Sequence, residues 1–296
     1  MKHLIDITSL TKEEINQIYQ RASEFEKGMR RANHTSANVI NMFFENSTRT
    51  KISFEMAANK INAHRFDFQV NTSSINKGED LFDTINNLSA IGINAVVMRH
   101  SDNNLIKELS QKKYFNDISF INAGSGSASH PTQALLDYYT MKKQFYDLEG
   151  RVVVFVGDIA HSRVAASNIA LLKKFNTEIR CLAPDYFTGE KIEGVEYYTN
   201  LTSAFEGADI IMALRIQKER IQENINFDDY IKNYQITKDN LPYAAFLMHP
   251  GPVNRGIELS EDVLELQNAK TIINQAKNGV FIRMAVLDML LSAQGL

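Results

Sequence analysis

The chain has 296 residues, of which 44% are hydrophobic and 23% charged, and its formal net charge is −3. This composition is typical of a globular protein of about two domains, and it provides no basic field that would indicate a nucleic-acid partner. The single cysteine, Cys181, excludes an intrachain disulfide. No apolar run reaches the roughly 18 residues of a membrane span, and the N-terminus lacks the core of a signal peptide. We therefore expect a cytoplasmic protein with no membrane partner.

The first half of the chain alternates predicted helices with predicted strands. A helix is expected over 12–27, introduced by Ser9 or Thr11, and 39–44 is an apolar run typical of a buried strand, followed by a helix. The next elements are a strand over 64–70, a polar loop over 71–80, a helix through 81–88, a strand over 94–98, a helix over 103–112 and a strand over 118–122. Such alternation favours a mainly parallel sheet with helices on its faces.

The second half repeats this alternation. A small-residue loop over 123–129 leads to His130-Pro131-Thr132-Gln133 and a helix over 134–145, inside which we place a domain boundary. Further strands are predicted over 152–156, 178–183, 209–214 and 244–248, with a helix through 164–175 after the first of them. A long helix over 274–291 closes the chain. The pattern predicts an α/β protein with two similar, doubly wound halves.

Hydroxyl side chains and an arginine stand together where the strand over 39–44 meets its helix. The first amides of a helix have no internal partner and lie at the positive end of its dipole. Ser47, Thr48 and Thr50 add hydroxyl donors, and Arg49 adds a planar cationic fork. The arrangement is typical of a phosphate site. A helix capped in the ordinary way would account for the same residues.

Polar candidates follow several other predicted strands as well. In open α/β sheets ligands bind beyond the carboxyl ends of the strands. Arg49, Arg99, Arg163 and Arg215 all lie at such ends, and several guanidinium groups around one crevice imply a ligand with more than one anionic group. The whole set is 47–50, Ser73, Lys77, Arg99, His130, Gln133, 158–163, Arg215, Gln217 and 249–252.

Each candidate taken alone has a simpler explanation. Lys77 would be an ordinary solvated lysine, and His130 would be a second helix cap. The segment 217–220 would be a solvated helix start, and 251–252 a turn. Only their joint placement at strand ends favours one functional site.

Several classes of site are poorly supported. No Gly-x-Gly-x-x-Gly follows the strand over 152–156, and no Gly-Lys-Ser/Thr loop occurs, so neither a dinucleotide nor a nucleotide triphosphate site is indicated. The seven histidines lack the paired spacing of metal ligands. No Gly-x-Ser-x-Gly elbow is present. We expect no cofactor and no metal.

The ordered motifs resemble those of the aspartate and ornithine carbamoyltransferases over essentially the whole chain. They are Ser47-Thr48-Arg49-Thr50, the loop with Ser73 and Lys77, Arg99-His100, His130-Pro131-Thr132-Gln133, Arg215-Ile216-Gln217 and His249-Pro250-Gly251-Pro252. The resemblance implies a carbamoyl-phosphate domain over 1–134, an aspartate domain over 135–275 and a C-terminal helix over 276–296 that packs back on the first domain.

The resemblance also implies a role for each matching residue. Carbamoyl phosphate would be bound by Ser47, Thr48, Arg49, Thr50, Ser73, Lys77, Arg99, His130, Gln133, Gly251 and Pro252. Aspartate would be bound by Lys77, Arg163, Arg215 and Gln217. The catalytic set would be Arg49, Thr50, Lys77, Arg99 and His130. Ser73 and Lys77 match loop residues that enter a neighbouring subunit's site in this family, which implies a homotrimer with shared active sites.

The implied reaction is attack of the α-amine of aspartate on the carbamoyl carbon, in pyrimidine synthesis. Charge grounds favour aspartate over ornithine, because Arg215 supplies a cation for a second carboxylate and the ornithine enzymes' Ser-Met-Gly loop is absent. A transferase with another amino-acid acceptor and a non-catalytic paralogue stay open. The second is suggested by Ser125 and Ser129, where many relatives carry an acidic residue and a glutamine. The sequence does not decide whether regulatory chains or a dihydroorotase associate.

Overall fold

The computed structural model describes residues 1–126, 128–218, 227–266 and 270–296. The chain forms two compact units. The first unit comprises Met1–Leu136 and Ala276–Leu296, and the second comprises Asp137–Gln275. No helix in the described part of the chain is both long and apolar enough to cross a membrane.

The first unit is built on a four-stranded, fully parallel sheet in the order β2-β1-β3-β4. The strands are β1 (Asn38–Phe43), β2 (His64–Phe68), β3 (Ala95–His100) and β4 (Ser119–Ser125), and the helices are α1 (Lys12–Glu26), α2 (Thr48–Lys60), α3 (Leu81–Ala90) and α4 (Leu105–Ser110). Short 3-10 helices occupy Val70–Thr72, Ser74–Lys77 and Lys113–Phe115. The core forms because β1, β3 and β4 are buried on both faces, as in a sheet covered by helices.

The second unit has a five-stranded parallel sheet in the order β7-β6-β5-β8-β9. The strands are β5 (Val152–Val156), β6 (Glu178–Leu182), β7 (Glu196–Tyr198), β8 (Ile210–Ala213) and β9 (Phe246–Met248). The helices are α6 (Arg163–Lys173), α7 (Asp185–Thr188), α8 (Leu201–Phe205), α9 (Phe227–Tyr234) and α10 (Glu261–Glu265). The apolar run of β5 lies at the centre, where both faces of a strand are covered.

Two helices contain the boundaries between the units: α5 (Pro131–Phe145) and α11 (Lys270–Ser292). Beyond that boundary α11 packs within the first unit. There Arg283 Nη1 donates to Ser53 Oγ at 2.9 Å, and its guanidinium lies 5.1 Å from the centre of the Phe54 ring. The predicted fold class is therefore confirmed, with two parallel sheets flanked by helices and a C-terminal helix that contacts the first unit.

Some predicted elements differ from the observed ones. Strand β4 continues through Ser125, where small residues had suggested a loop, because His100 of β3 pairs with Ser125. Helix α5 begins at Pro131 and α11 at Lys270, earlier than expected. Strand β7 and the short helices α7 to α10 were not predicted. Ser127 of the small-residue loop and Glu219-Arg220 of the alternative helix start lie outside the described residues.

Candidate active site

The turn between β1 and α2 places Ser47 directly before the helix, with Thr48, Arg49 and Thr50 in its first turn. The Ser47 side chain makes no capping hydrogen bond, whereas Ser162 accepts the Ala165 amide at the start of α6. The first turn of α2 also contains no acidic residue. The start of α2 therefore differs from an ordinary side-chain-capped helix, and its positive end favours an anion.

Arg99 lies on β3 beside this turn. In the sheet register Arg99 pairs with Phe43, the last residue of β1, and its carbonyl accepts the Phe44 amide at 2.9 Å. Its guanidinium contacts both neighbouring segments: Nε lies 3.3 Å from Glu45 Oε2, and Nη1 donates to Ala123 O at 3.4 Å. Arg99 is thus held between the end of β1 and the end of β4.

His130 follows the loop that begins at the end of β4. Ser125 and Ser129 pair through reciprocal backbone hydrogen bonds of 2.9 and 3.4 Å, and the Gly126 amide donates to His100 O at 3.0 Å. Asn103 Oδ1 accepts the amide of Ala128 at 3.2 Å. The loop is therefore tied to β3, and it delivers His130 buried at the start of α5.

These positions bring the first-unit candidates to one edge of the sheet. Residues 47–50, Arg99 and His130 follow or end β1, β3 and β4, which are consecutive neighbours in the sheet. Gln133 is buried one turn after His130, whose carbonyl accepts its amide at 3.0 Å. The carboxyl ends of adjacent parallel strands therefore carry hydroxyl, guanidinium, imidazole and amide groups together.

Ser73 and Lys77 lie in the segment that follows the edge strand β2. Ser73 Oγ donates to Val70 O at 2.8 Å, so its hydroxyl helps to shape the first 3-10 turn. Lys77 ends the second 3-10 turn, before a left-handed Gly78, and its side chain is exposed. Within a single chain this segment presents Lys77 to solvent.

In the second unit, the end of β5 leads through a tight turn to Arg163. The buried Asp158 carboxylate accepts the His161 amide at 3.1 Å, and its Oδ1 lies 2.7 Å from His161 Nδ1. Ser162 caps α6, whose first residue is Arg163. Arg163 is itself buried, so its charge is placed at the positive start of a helix with little water around it. An anion bound near Arg163 would stabilise this buried positive charge.

The segment 215–217 follows β8, the neighbour of β5 in the sheet. Gln217 is tied to the β5–α6 turn, since its amide donates to Asp158 Oδ2 at 3.3 Å and its Nε2 to His161 O at 2.5 Å. The Arg215 side chain is half-buried. Arg163, Arg215 and Gln217 are therefore placed at the carboxyl ends of adjacent strands.

The segment 249–252 follows β9, on the other side of β8. The His249 amide donates to Gln275 Oε1 at 2.9 Å, and the Gly251 amide donates to His249 Nδ1 at 2.8 Å. The peptide bond between Gly251 and Pro252 is cis. The buried His249 therefore fixes the backbone of this segment. No cluster of the described residues has the acidic, histidine or cysteine groups to hold a metal ion.

Sequence patterns missed several residues that shape these segments. Glu45, Asn103, Asn254 and Glu258 were not among the candidates, although each bonds to a segment that carries one. No motif marks any of these residues, and the segments that they contact are distant in the sequence. A polar residue directly after a strand, such as Glu45, is the one such feature that inspection of the sequence would reveal.

Both halves of the chain match models of known domains. Residues 2–143 match the carbamoyl-phosphate binding domain of aspartate/ornithine carbamoyltransferases, and residues 149–290 match the Asp/Orn binding domain. The aspartate carbamoyltransferase catalytic subunit of Staphylococcus carnosus is 40% identical, with 99% of this chain and 96% of that protein covered. The subunit from Streptococcus uberis is 38% identical with the same coverage.

Solved structures give the same match at lower identity. The catalytic subunit of M. jannaschii aspartate transcarbamoylase is 29% identical with a TM-score of 0.87, covering 99% of this chain and 100% of that one. Aspartate transcarbamoylase from Trypanosoma cruzi, in complex with carbamoyl phosphate and aspartate, is 26% identical with a TM-score of 0.83. That match covers 97% of this chain and 96% of the other.

Proposed function

Because the chain belongs to the aspartate/ornithine carbamoyltransferase family, we propose that it transfers the carbamoyl group of carbamoyl phosphate to the α-amine of L-aspartate. The products are N-carbamoyl-L-aspartate and phosphate, in the pyrimidine pathway that leads to UMP. One observation carries the choice of acceptor. Arg163 and Arg215 lie at the ends of the adjacent strands β5 and β8, which suits a ligand with two carboxylates.

We assign carbamoyl phosphate chiefly to the first unit. The start of α2 offers amide N–H groups, the Ser47, Thr48 and Thr50 hydroxyls and the Arg49 guanidinium to the phosphate, with Arg99 beside it. Thr50, Arg99, His130 and Gln133 would bind the carbamoyl oxygen and amide. Ser73 and Lys77 complete the phosphate set.

The chemistry follows from where charge develops. When the amine attacks the carbamoyl carbon, negative charge grows on the carbonyl oxygen, and Thr50, Arg99 and His130 are suitable donors to stabilise it. Arg49 and Lys77 offset the charge of the departing phosphate. No cofactor is required, since the acyl phosphate is already activated, and the phosphate itself can accept the amine proton. Binding both ligands in one orientation supplies most of the rate.

We assign aspartate to the second unit. Arg163 and Arg215 would each bind one carboxylate, and Gln217, which is anchored to the β5–α6 turn, would contribute its amide. Lys77 would assist from the loop after β2. The carbonyl groups of Gly251 and Pro252 would face the carbamoyl amide and the incoming amine. Ornithine lacks the second carboxylate, so Arg215 would have no anionic partner on that substrate.

We further propose a cytoplasmic homotrimer with shared active sites. Lys77 is exposed within one chain, which fits a role in a neighbouring chain's site. Large apolar side chains are also exposed on α2 and β2, the two elements that precede the loop with Lys77: Ile52 and Met56 of α2 are 51% and 43% exposed, and Phe66 of β2 is 48% exposed. A neighbouring chain would remove them from water.

A product assay tests the acceptor. Purified protein supplied with carbamoyl phosphate should form carbamoylaspartate from aspartate and no citrulline from ornithine. Arg215→Ala should raise the KM for aspartate at least about 100-fold, because a charge-assisted bidentate contact is lost. Lys218→Ala, which removes the neighbouring exposed cation, is the matched control. Absence of product from both acceptors, in protein that melts cooperatively, would reject the proposal.

Subunit mixing tests the shared site. Arg49→Ala and Lys77→Ala chains are each expected to be inactive. When they are mixed and allowed to exchange, some interfaces regain an intact Arg49 on one chain and an intact Lys77 on the next. Activity should therefore reappear in the mixture. If exchange is verified by mass spectrometry and the mixture stays inactive, each site belongs to a single chain.

A further inference from the structure

A buried glutamate connects two of the segments assigned to the substrates. Glu258 is 1% exposed. Its Oε1 accepts the Ile216 amide at 2.8 Å, and its Oε2 accepts the Asn254 amide at 2.6 Å. Asn254 Nδ2 closes the connection, since it lies 2.5 Å from Glu258 Oε1 and 3.0 Å from Ile216 O. The Glu258 carboxylate therefore connects Ile216, which follows Arg215, with Asn254, which lies two positions after Pro252.

The histidine of the second segment also faces this carboxylate. His249 Nδ1 accepts the Gly251 amide, so this nitrogen carries no proton and the proton of the neutral ring lies on Nε2. Nε2 is 3.8 Å from Glu258 Oε2. The His249 ring, which holds the Gly251 amide, therefore lies beside the same carboxylate.

Consecutive amides of the 215–217 segment are held by two different buried carboxylates. Glu258 holds the Ile216 amide, and Asp158, which is 0% exposed, holds the Gln217 amide at 3.3 Å. The peptide bonds on both sides of Ile216 are therefore fixed. A segment held in this way presents the side chains of Arg215 and Gln217 in one orientation, which lowers the entropy lost when a ligand binds.

A buried carboxylate in this place has an electrostatic cost. The negative charge of Glu258, in addition to that of Asp158, opposes binding of the dicarboxylate that we assign to this unit. Burial of an ionised group is itself unfavourable unless its oxygen atoms are satisfied. The contacts with Ile216 and Asn254 satisfy Glu258, and they act on the two segments named above. These contacts give Glu258 a positional role that would offset the electrostatic cost of its burial.

From these contacts we infer that Glu258 is a positioning residue that fixes the 215–217 segment relative to the 249–254 segment and thereby sets the affinity for the amino-acid acceptor. The inference rests on the proposed function. Glu258 does not touch either substrate in this role. It acts through the backbone of Ile216 and through Asn254, and it leaves the carbamoyl-phosphate residues of the first unit unchanged.

The test is Glu258→Gln, with Glu261→Gln as the matched control. Glutamine keeps the shape but replaces one oxygen with an NH2 group, so one of the Ile216 and Asn254 amides loses its acceptor. The control removes the exposed carboxylate of Glu261, which lies three residues after Glu258 and pairs with Arg255. The KM for aspartate should rise about 10- to 100-fold in Glu258→Gln and change less than about twofold in the control.

A second readout separates positioning from general damage. In Glu258→Gln, calorimetry should show a much smaller change in the Kd for carbamoyl phosphate than in the KM for aspartate. The phosphate is assigned to the first unit, and only the Gly251 and Pro252 carbonyls lie on the affected segments. The thermal transition should stay cooperative. Asn254→Ala, which removes the side-chain contacts of Asn254 with Glu258 and Ile216 O, should also raise the aspartate KM. Combined with Glu258→Gln, it should add little, because both act on one contact.

Each remaining outcome is decisive. If the wild type forms carbamoylaspartate and both variants have its aspartate KM, the positioning role is overturned. If both variants lose cooperative melting, Glu258 serves the folding of the unit, and the positioning role is also overturned. If the wild type forms no product, the proposed function fails first, and this result is distinct from the other two.

Discussion

His34 Nε2 lies 2.7 Å from Asp288 Oδ1, a contact that joins the loop before β1 to the C-terminal helix α11. The other carboxylate oxygen, Oδ2, accepts from Arg21 Nη1 at 2.9 Å and from Arg30 Nε at 2.8 Å. Asp288 is buried, and these three contacts satisfy both of its carboxylate oxygen atoms. Asp288 of α11 is thus attached to three side chains from the stretch 21–34.

This cluster predicts an acid-dependent loss of stability. Burial raises the pKa of Asp288, but the hydrogen bond from His34 and the charges of Arg21 and Arg30 outweigh it, and the pKa lies below its usual value. A lowered folded-state pKa stabilises the protein above the unfolded-state pKa of about 3.9, and this stabilisation is lost as the pH falls through the folded-state pKa.

Asp288→Asn should therefore lower the free energy of unfolding at pH 7 by about 2 kcal/mol, less than for a fully buried pair because both arginines reach water. The difference from the wild type should shrink below about pH 4. Urea titrations at several pH values measure it. Asp67→Asn, which breaks the exposed contact with Lys51 at 2.7 Å, should cost less than about 0.5 kcal/mol at any pH. A pH-independent difference for Asp288→Asn would contradict the assignment.

One methyl group added in the loop before His130 should weaken both ligand binding and stability. Gly126 has φ +40°, and a Cβ there would overlap Asn103 Oδ1 and lie 2.7 Å from Ser101 O. Gly126→Ala should displace the loop, raise the Kd for carbamoyl phosphate at least about tenfold and lower the melting temperature. Gly28→Ala has a similar positive φ with open space around it. It should cost about 1 kcal/mol and leave the Kd unchanged.

Arg283 connects α11 with α2 and α5, the two helices that begin at residues assigned to carbamoyl phosphate. Its Nη1 donates to Ser53 Oγ of α2, and its Nη2 lies 3.5 Å from Thr132 Oγ1 at the start of α5. Arg283→Lys keeps a charge but cannot reach both hydroxyls with a planar fork. We expect a loss of about 2 kcal/mol in the free energy of unfolding, measured by urea titration. A loss below about 0.5 kcal/mol would show that the fork is not needed.

Cys181 is predicted to be unreactive in the folded protein. It lies buried on β6, and burial raises the pKa of its thiol to about 12. The thiolate is the reactive form, so at pH 8 iodoacetamide should leave the native protein unlabelled. In urea the same reagent should label one site, because Cys181 is the single cysteine of the chain. Rapid labelling of native protein would mean that β6 opens readily to solvent.

The sequence predicted which polar residues follow the strands better than it predicted the boundaries of the elements around them. The buried run of β5 and the hydroxyl-rich turn after β1 are local patterns, and both lie close to where they were predicted. The predicted end of β4 was wrong, because the glycine and serine residues there are typical of loops. There the pairing of His100 with Ser125, a contact between neighbouring strands, extends the strand beyond what local composition indicates.

Glu258 illustrates what a local pattern cannot contain. It stands between Ile257 and Leu259 in a stretch where no helix or strand was predicted, and its bond to the Ile216 amide spans 42 positions of sequence. Whether such a glutamate is solvated or buried depends on which segments the fold brings beside it.

The sequence by itself determined the alternation of strands and helices, the fold class, the family and the chemical groups at each strand end, because these depend on local periodicity and ordered motifs. Only the tertiary structure decided that β1, β3 and β4 are neighbours in one sheet and β5, β8 and β9 in the other. It also decided that Asp158, Glu258 and Asp288 are buried. Strand order and the burial of a charge depend on hydrogen bonds between distant segments, and a local pattern specifies the segment but not its partner.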